Sequence, residues 1–228
     1  MNPPADLAAA QWTERLLETM VAADRPAAAL VLDQILATGF APGRVIAAIL
    51  DQALVKLGRL WGAENISLTQ TFVAAKIAED VLVRCVPGAE TTAAHRSPAV
   101  IGNIEDDFHS LGRRIVGSFL RAAGWDVHDL GNDVLPEQFV DKALEVGAVV
   151  IGVSAMMQTT ALNIRKLRSL IDARGLQGRL RLAVGGAVFN WRPDLVAEVG
   201  GEGTAANAAG VDALFHRLQA EAQGAPRG

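Results

Sequence analysis

Between residues 8 and 86 the apolar positions recur every three or four residues, the spacing of helices that each bury one stripe. Breakers at Arg25-Pro26, around Gly39, Pro42 and Gly43, and at Gly62 divide this stretch into four predicted helices, over residues 8–23, 27–38, 41–61 and 68–84. Their short connections favour an antiparallel bundle. Beyond residue 98 the rhythm changes: short β-branched or apolar runs alternate with helical segments. Strands are predicted over 99–103, 126–130, 148–153 and 180–184, with a weak fifth near 201–204. Helices are predicted over 111–123, 136–146, 161–173, 193–198 and 206–222. Such alternation argues for a parallel sheet with helices on both faces.

The two patterns are separated by Pro87-Gly88-Ala89-Glu90-Thr91-Thr92-Ala93-Ala94-His95-Arg96-Ser97-Pro98, a small, polar stretch framed by prolines. That composition suits a linker, so a helical domain over residues 1–90 and an α/β domain over 98–228 are expected.

Composition narrows the function. With 21 Lys and Arg against 25 Asp and Glu, the net charge is −4, and no basic stripe marks a nucleic-acid platform. No apolar run approaches the roughly 20 residues that span a bilayer, and the first residues lack the charged-then-apolar order of a secretory signal. A cytoplasmic protein with no membrane or nucleic-acid partner is expected. Cys85 is the only cysteine, so an intramolecular disulfide and a thiolate metal cluster are excluded, and the residue reads as buried apolar filler. Metal chemistry would have to use histidine, carboxylate or a prosthetic group.

Open parallel sheets bind ligands at the carboxyl ends of their strands, near the point where strand order reverses. In a flavodoxin-like (Rossmann-like) order the first, third and fourth strands are neighbours. Their exits carry Glu105-Asp106-Asp107-Phe108-His109-Ser110-Leu111-Gly112, then Ser154-Ala155-Met156, then Gly185-Gly186. These loops are expected to converge on one rim, with Thr204 beside them at the end of the weak fifth strand. A neutral imidazole can ligate a metal through one nitrogen while its other N–H seeks an acceptor. Asp107 is placed to accept from His109, and Ser154 to hydrogen-bond Asp107; Asp107 is also a natural cap for the helix that begins nearby.

The ordered set Asp107-x-His109-x-x-Gly112, Ser154-x-Met156 and Gly185-Gly186 resembles the signature of the cobalamin-binding domains of methionine synthases and corrinoid methyl-carrier proteins. The resemblance runs from about Ala99 to Ala209 and includes Arg113-Arg114-Ile115-Val116 and Asp129-Leu130-Gly131. It implies a helical cap followed by a five-stranded α/β domain that binds cobalamin, as methylcobalamin or another corrinoid. It further implies cobalt held base-off by His109 from below, with Asp107 and Ser154 relaying a proton as the cobalt changes state. The nucleotide tail would insert beside Gly112, Gly185 and Gly186, with further cofactor contacts from Phe108, Ser110, Leu111, Met156 and Thr204. Leu57-Gly58-Arg59-Leu60-Trp61 and Ile66-Ser67-Leu68-Thr69-Gln70-Thr71-Phe72 resemble the family's cap helices, which makes Trp61, Leu68 and Phe72 candidates for contact with the upper corrin face.

The chain departs from the family at several places. Asp106 stands where many methyl carriers have Gly, Ser110 where they have Asp, Arg113 where they have Lys, and Met156 where they have Leu. Thr71-Phe72 occupies the position of a Glu-His pair in cobalamin-dependent light sensors, which argues against photochemistry. The resemblance thus implies a corrinoid subunit that carries methyl groups between partner methyltransferases, rather than a complete enzyme. The alternatives are a cobalamin-dependent sensor signalling to a partner protein, or a module that has drifted to another tetrapyrrole or none; a homo-oligomer stays open. His95, His128 and His216 read as solvated or structural, and Arg113-Arg114 as a solvated helix start, with a cofactor amide or a partner surface as the alternative use of one of them.

Overall fold

The computed structural model describes residues 3–85 and 97–224. It divides into two compact units, Met1–Glu90 and Thr91–Gly228. The proline-framed stretch 87–96, with His95, lies outside the described residues.

In the first unit, α1 (Pro3–Val21), α2 (Arg25–Ala37), α4 (Asp51–Gly62) and α5 (Leu68–Cys85) are the long helices, and the short α3 (Pro42–Arg44) leads into α4 through a π-helical turn at Val45–Leu50. The predicted single helix over 41–61 is therefore a composite. Asp24 caps α2 by accepting the Ala27 amide at 2.9 Å, with Pro26 beside it in the first turn, where a missing N–H costs nothing. Leu16, Met20, Leu32, Ile35, Ile49, Leu50, Ala53, Ala74 and Ile77 are buried and form the interior of the bundle. Cys85 is buried too, and burial pushes its thiol above the ordinary range.

The second unit alternates β1 (Pro98–Asn103), α6 (Ser110–Ala122), β2 (Asp126–Asp129), α7 (Pro136–Val146), β3 (Val150–Ser154), α8 (Gln158–Ala173) and β4 (Arg181–Gly185). Two short helices, α9 (Ala187–Trp191) and α10 (Leu195–Glu198), precede a 3-10 turn at Ala208–Gly210 and α11 (Val211–Gln223). The sheet is parallel with order β2-β1-β3-β4, so strand order reverses between β1 and β3. Val100, Phe139, Ile151, Ile164, Leu182 and their neighbours fill one face; Ile101, Leu120, Trp125, Val150, Phe215 and Leu218 fill the other. Burial on both faces explains why β1, β3 and β4 read as largely apolar runs, whereas the edge strand β2 is polar and partly exposed.

The sheet has four strands, not the expected five. Segment 201–204 makes a single bridge, Ala183 with Gly203. The Glu202 backbone N–H donates to Leu182 O at 2.8 Å, but the Leu182 amide donates to the Glu202 side chain at 2.7 Å. A carboxylate thus takes the donor that a longer fifth strand would have used, and glycines at 200, 201 and 203 give that segment little strand propensity.

Candidate functional site

Asn103, Ser154 and Gly185 are paired in register at the carboxyl ends of β1, β3 and β4, so the three predicted loops do leave one edge side by side. The connection from β1 to α6 is built from its own backbone. Asp107 N–H closes a turn onto Ile104 O at 2.9 Å, Ile104 N–H donates to Ser154 O at 3.1 Å, and Asp133 N–H donates to Asp107 O at 3.1 Å. Asp106 sits at φ 69°, a left-handed conformation that aspartate tolerates better than most residues, and its N–H donates to Asp133 Oδ1 at 2.8 Å. The Asp133 carboxylate thus holds this left-handed turn in place.

This turn presses Asp107 inward to 0% exposure. Its Oδ1 accepts from His109 N–H at 2.9 Å and Asn103 Nδ2 at 2.8 Å; its Oδ2 accepts from Met156 N–H at 2.7 Å and Thr160 Oγ1 at 2.9 Å. Burial opposes the charged form, but the bonds from Met156, His109, Asn103 and Thr160 together outweigh it and hold the carboxyl below the usual carboxylate range. The imidazole of His109 turns Nδ1 towards the same Oδ1, at 3.3 Å, and its side chain stays 53% exposed. Nε2 makes no hydrogen bond to any described residue. With Asp107 ionised, the tautomer that suits this arrangement carries its proton on Nδ1 and leaves the Nε2 lone pair open to a ligand outside the chain.

The expected bond from Ser154 to Asp107 does not form. Ser154 is half-buried and contributes its backbone carbonyl, while the hydroxyl on the carboxylate belongs to Thr160, in the first turn of α8. Strand side chains stand above or below the sheet, whereas the first turn of α8 brings the Thr160 hydroxyl onto the carboxylate. The chain also contradicts the expectation that Arg113 is solvated. Arg113 is 7% exposed and donates Nε to Asn103 Oδ1 at 2.7 Å, Nη2 to Asn132 Oδ1 at 3.1 Å, and Nη1 to Asp129. Burial, with Arg114 and Arg121 nearby, lowers its pKa from the ordinary arginine value.

The remaining predicted residues are distributed as follows. Phe108 and Met156 are exposed at 64% and 45% around the imidazole's loop, Ser110 and Leu111 begin α6, and Thr204 is exposed where its segment bridges β4. A Cβ added at Gly112 or Gly185 would meet nothing within 4 Å. Gly186, by contrast, lies at φ 116°, and a Cβ there would stand 2.0 Å from Ala155 O. Its glycine is required by the chain's own backbone. Trp61, Leu68 and Phe72 lie in the first unit, on α4 and α5, with exposures of 45%, 72% and 64%.

Three contributors escaped the sequence reading: Asn103, Thr160 and the buried guanidinium. Asn103 was signalled by a polar residue closing the apolar run of β1, and Arg113 by its place four residues before buried Gly117 and seven before buried Leu120 on α6. Nothing local distinguishes Thr160 from Thr159. Among the described residues no three His, Cys, Asp or Glu side chains group as a metal cage. One outward imidazole nitrogen, open space at Gly112 and Gly185, and exposed apolar side chains beside them fit a metal that brings its own equatorial ligands.

Two family models, each described as a B12 binding domain, match this chain over residues 12–85 and 98–211. Trimethylamine corrinoid protein 2 of Methanosarcina mazei is 30% identical over 184 residues, 78% of this chain and 84% of that protein. Dimethylamine corrinoid protein 2 of the same organism is 46% identical over 88 residues, 39% of this chain and 41% of that one, so this alignment spans under half of the relative's length. Among solved structures, the Methanosarcina barkeri monomethylamine corrinoid protein superposes with a TM-score of 0.79 at 25% identity, covering 92% of this chain and 98% of that one.

Proposed function

The chain belongs to the cobalamin-binding corrinoid protein family, and from that membership we propose that it carries a methyl group between partner methyltransferases, with His109 as the lower ligand to cobalt. The observation that carries the proposal is the pairing of buried Asp107 with the Nδ1 edge of His109, which leaves Nε2 outward. Cobalamin, when bound, supplies a metal centre able to accept and release a methyl group. The protein's part is to ligate and orient it.

In this reading His109 offers a neutral nitrogen, and Asp107 fixes the tautomer and holds the ring's angle. Thr160 and the Met156 amide hold the other carboxylate oxygen, so Asp107 cannot swing away with the ring. Gly112 and Gly185 leave room for the nucleotide tail beside the loop, and Phe108 and Met156 give it apolar walls. Trp61, Leu68 and Phe72, exposed on the helical unit, are further side chains proposed to contact the cofactor and exclude water during transfer. The names of the relatives support methylated amines as the first donors to try.

The test is reconstitution with cobalamin, chemical reduction, and supply of isotope-labelled mono-, di- or trimethylamine with the corresponding methyltransferases. Label appearing on the chain-bound cofactor, and leaving it when an acceptor methyltransferase is added, is the expected result. A loaded and reduced protein that takes label from no donor overturns methyl carriage.

A further inference from the structure

The oxygen of Asp107 that faces the imidazole is not held by His109 alone. Oδ1 also accepts from Asn103 Nδ2 at 2.8 Å, a shorter contact than the 3.3 Å to His109 Nδ1. Asn103 is 0% exposed, and its carbonyl oxygen accepts from Arg113 Nε at 2.7 Å. Only one orientation of the amide satisfies both neighbours: acceptor toward the guanidinium, donor toward the carboxylate. Arg113 in turn is fixed by Asp129 and Asn132, and is 7% exposed. A continuous chain therefore runs from Arg113 through Asn103 and Asp107, all three buried, to the exposed imidazole of His109, with the cation at one end and the imidazole at the other.

We propose that Arg113 and Asn103 are positioning residues that set how strongly His109 donates to cobalt, by drawing on the carboxylate oxygen that the imidazole shares. The inference rests on the reading of His109 as lower ligand. Its physical basis is competition. Each donor that Oδ1 accepts reduces its pull on the Nδ1 proton, and a buried guanidinium polarises the intervening amide so that it donates more strongly. A weaker pull on Nδ1–H leaves less electron density on Nε2. In this chain the arm restrains the ligand, opposite in sense to a carboxylate that is free to serve the imidazole.

Cutting the arm should therefore strengthen the ligand. Arg113→Met removes the cation at similar length; Asn103→Thr places a residue of good strand propensity at the end of β1 that is too short to bridge Arg113 and Asp107. Arg113→Lys restores a charge without the fork and should bring the readouts partway back. The first measurement is made without cofactor: imidazole nitrogen shifts of His109 in a long-range 1H–15N spectrum at fixed pH, with circular dichroism melts reporting which variants are folded. In Arg113→Met and Asn103→Thr the proton should settle more fully on Nδ1. The second uses cobalamin-loaded protein with 15N-labelled histidine: nitrogen splitting in the Co(II) electron paramagnetic resonance spectrum and the Co(II)/Co(I) midpoint potential. About tenfold tighter imidazole coordination is expected, which for a one-electron couple is a shift of about 59 mV to more negative potential. Folded variants with unaltered imidazole shifts and an unaltered potential overturn the proposal. Absence of histidine nitrogen splitting in the unsubstituted protein defeats the ligand reading instead, and the cofactor-free shifts then still decide whether the arm acts on His109.

Discussion

The Thr160 hydroxyl donates to Asp107 Oδ2 at 2.9 Å, joining the first turn of α8 to a loop 53 positions earlier in the chain. Because Asp107 is fully buried, this bond has no water to replace it. Thr160→Val leaves the acceptor short of a donor and should destabilise the cofactor-free protein by about 1–3 kcal/mol. Ser154→Ala, at a side chain with no hydrogen bond to lose, should change stability by less than about 0.5 kcal/mol. Urea unfolding of the two variants side by side checks the contrast, and equal losses would contradict the assignment of Thr160.

His109→Ala should separate ligation from folding. The imidazole is 53% exposed and its one polar side-chain partner among the described residues is Asp107, at 3.3 Å, so the cofactor-free melting transition should hardly move. The cobalamin-loaded variant should lose the absorption of imidazole-bound, base-off cobalt and shift toward a water-bound or five-coordinate spectrum. An unchanged spectrum would remove His109 from the metal.

Gly186→Ala places a methyl group against Ala155 O at a backbone angle, φ 116°, that side-chain-bearing residues rarely adopt. The angle alone is worth about 1–3 kcal/mol, and relieving the clash adds to it. Gly185→Ala meets no neighbour within 4 Å and should leave the cofactor-free stability within about 1 kcal/mol of the original. If Gly185 faces the nucleotide tail as proposed, that same variant should weaken cobalamin retention on gel filtration.

Glu202→Ala tests the edge of the sheet. Its carboxylate accepts from the Leu182 amide at 2.7 Å and from Arg181 Nη1 at 2.7 Å. Removing it strands both donors, so a loss of about 1–3 kcal/mol in denaturant unfolding is expected, with the spectrum of bound cobalamin unaffected.

Much of this arrangement was legible beforehand because periodicity and strand-end position are local properties. Apolar runs in β1, β3 and β4 and the residues immediately after them located Asp107, His109 and the paired glycines on one rim. What escaped was decided by tertiary direction. Ser154 and Thr160 both offer hydroxyls near β3, and only the packing of α8 selects the second. Arg113 reads as a surface charge until its place on the buried stripe of α6 is weighed against the polar partners Asn103, Asp129 and Asn132, which come from three other positions in the chain. The missing fifth strand turned on one side chain, Glu202, competing for a backbone donor, which propensity does not register.

Four donors supplied by the chain itself, besides the imidazole, already hold the Asp107 carboxylate. The socket proposed for the lower face would therefore stand assembled before any corrin arrives, with little loop order left to create on association, so that the entropy of organising this half of the site is spent during folding. The Met156 and His109 amides, both bonded to buried Asp107, are therefore expected to exchange slowly with deuterated solvent in the cofactor-free protein, although both residues border solvent.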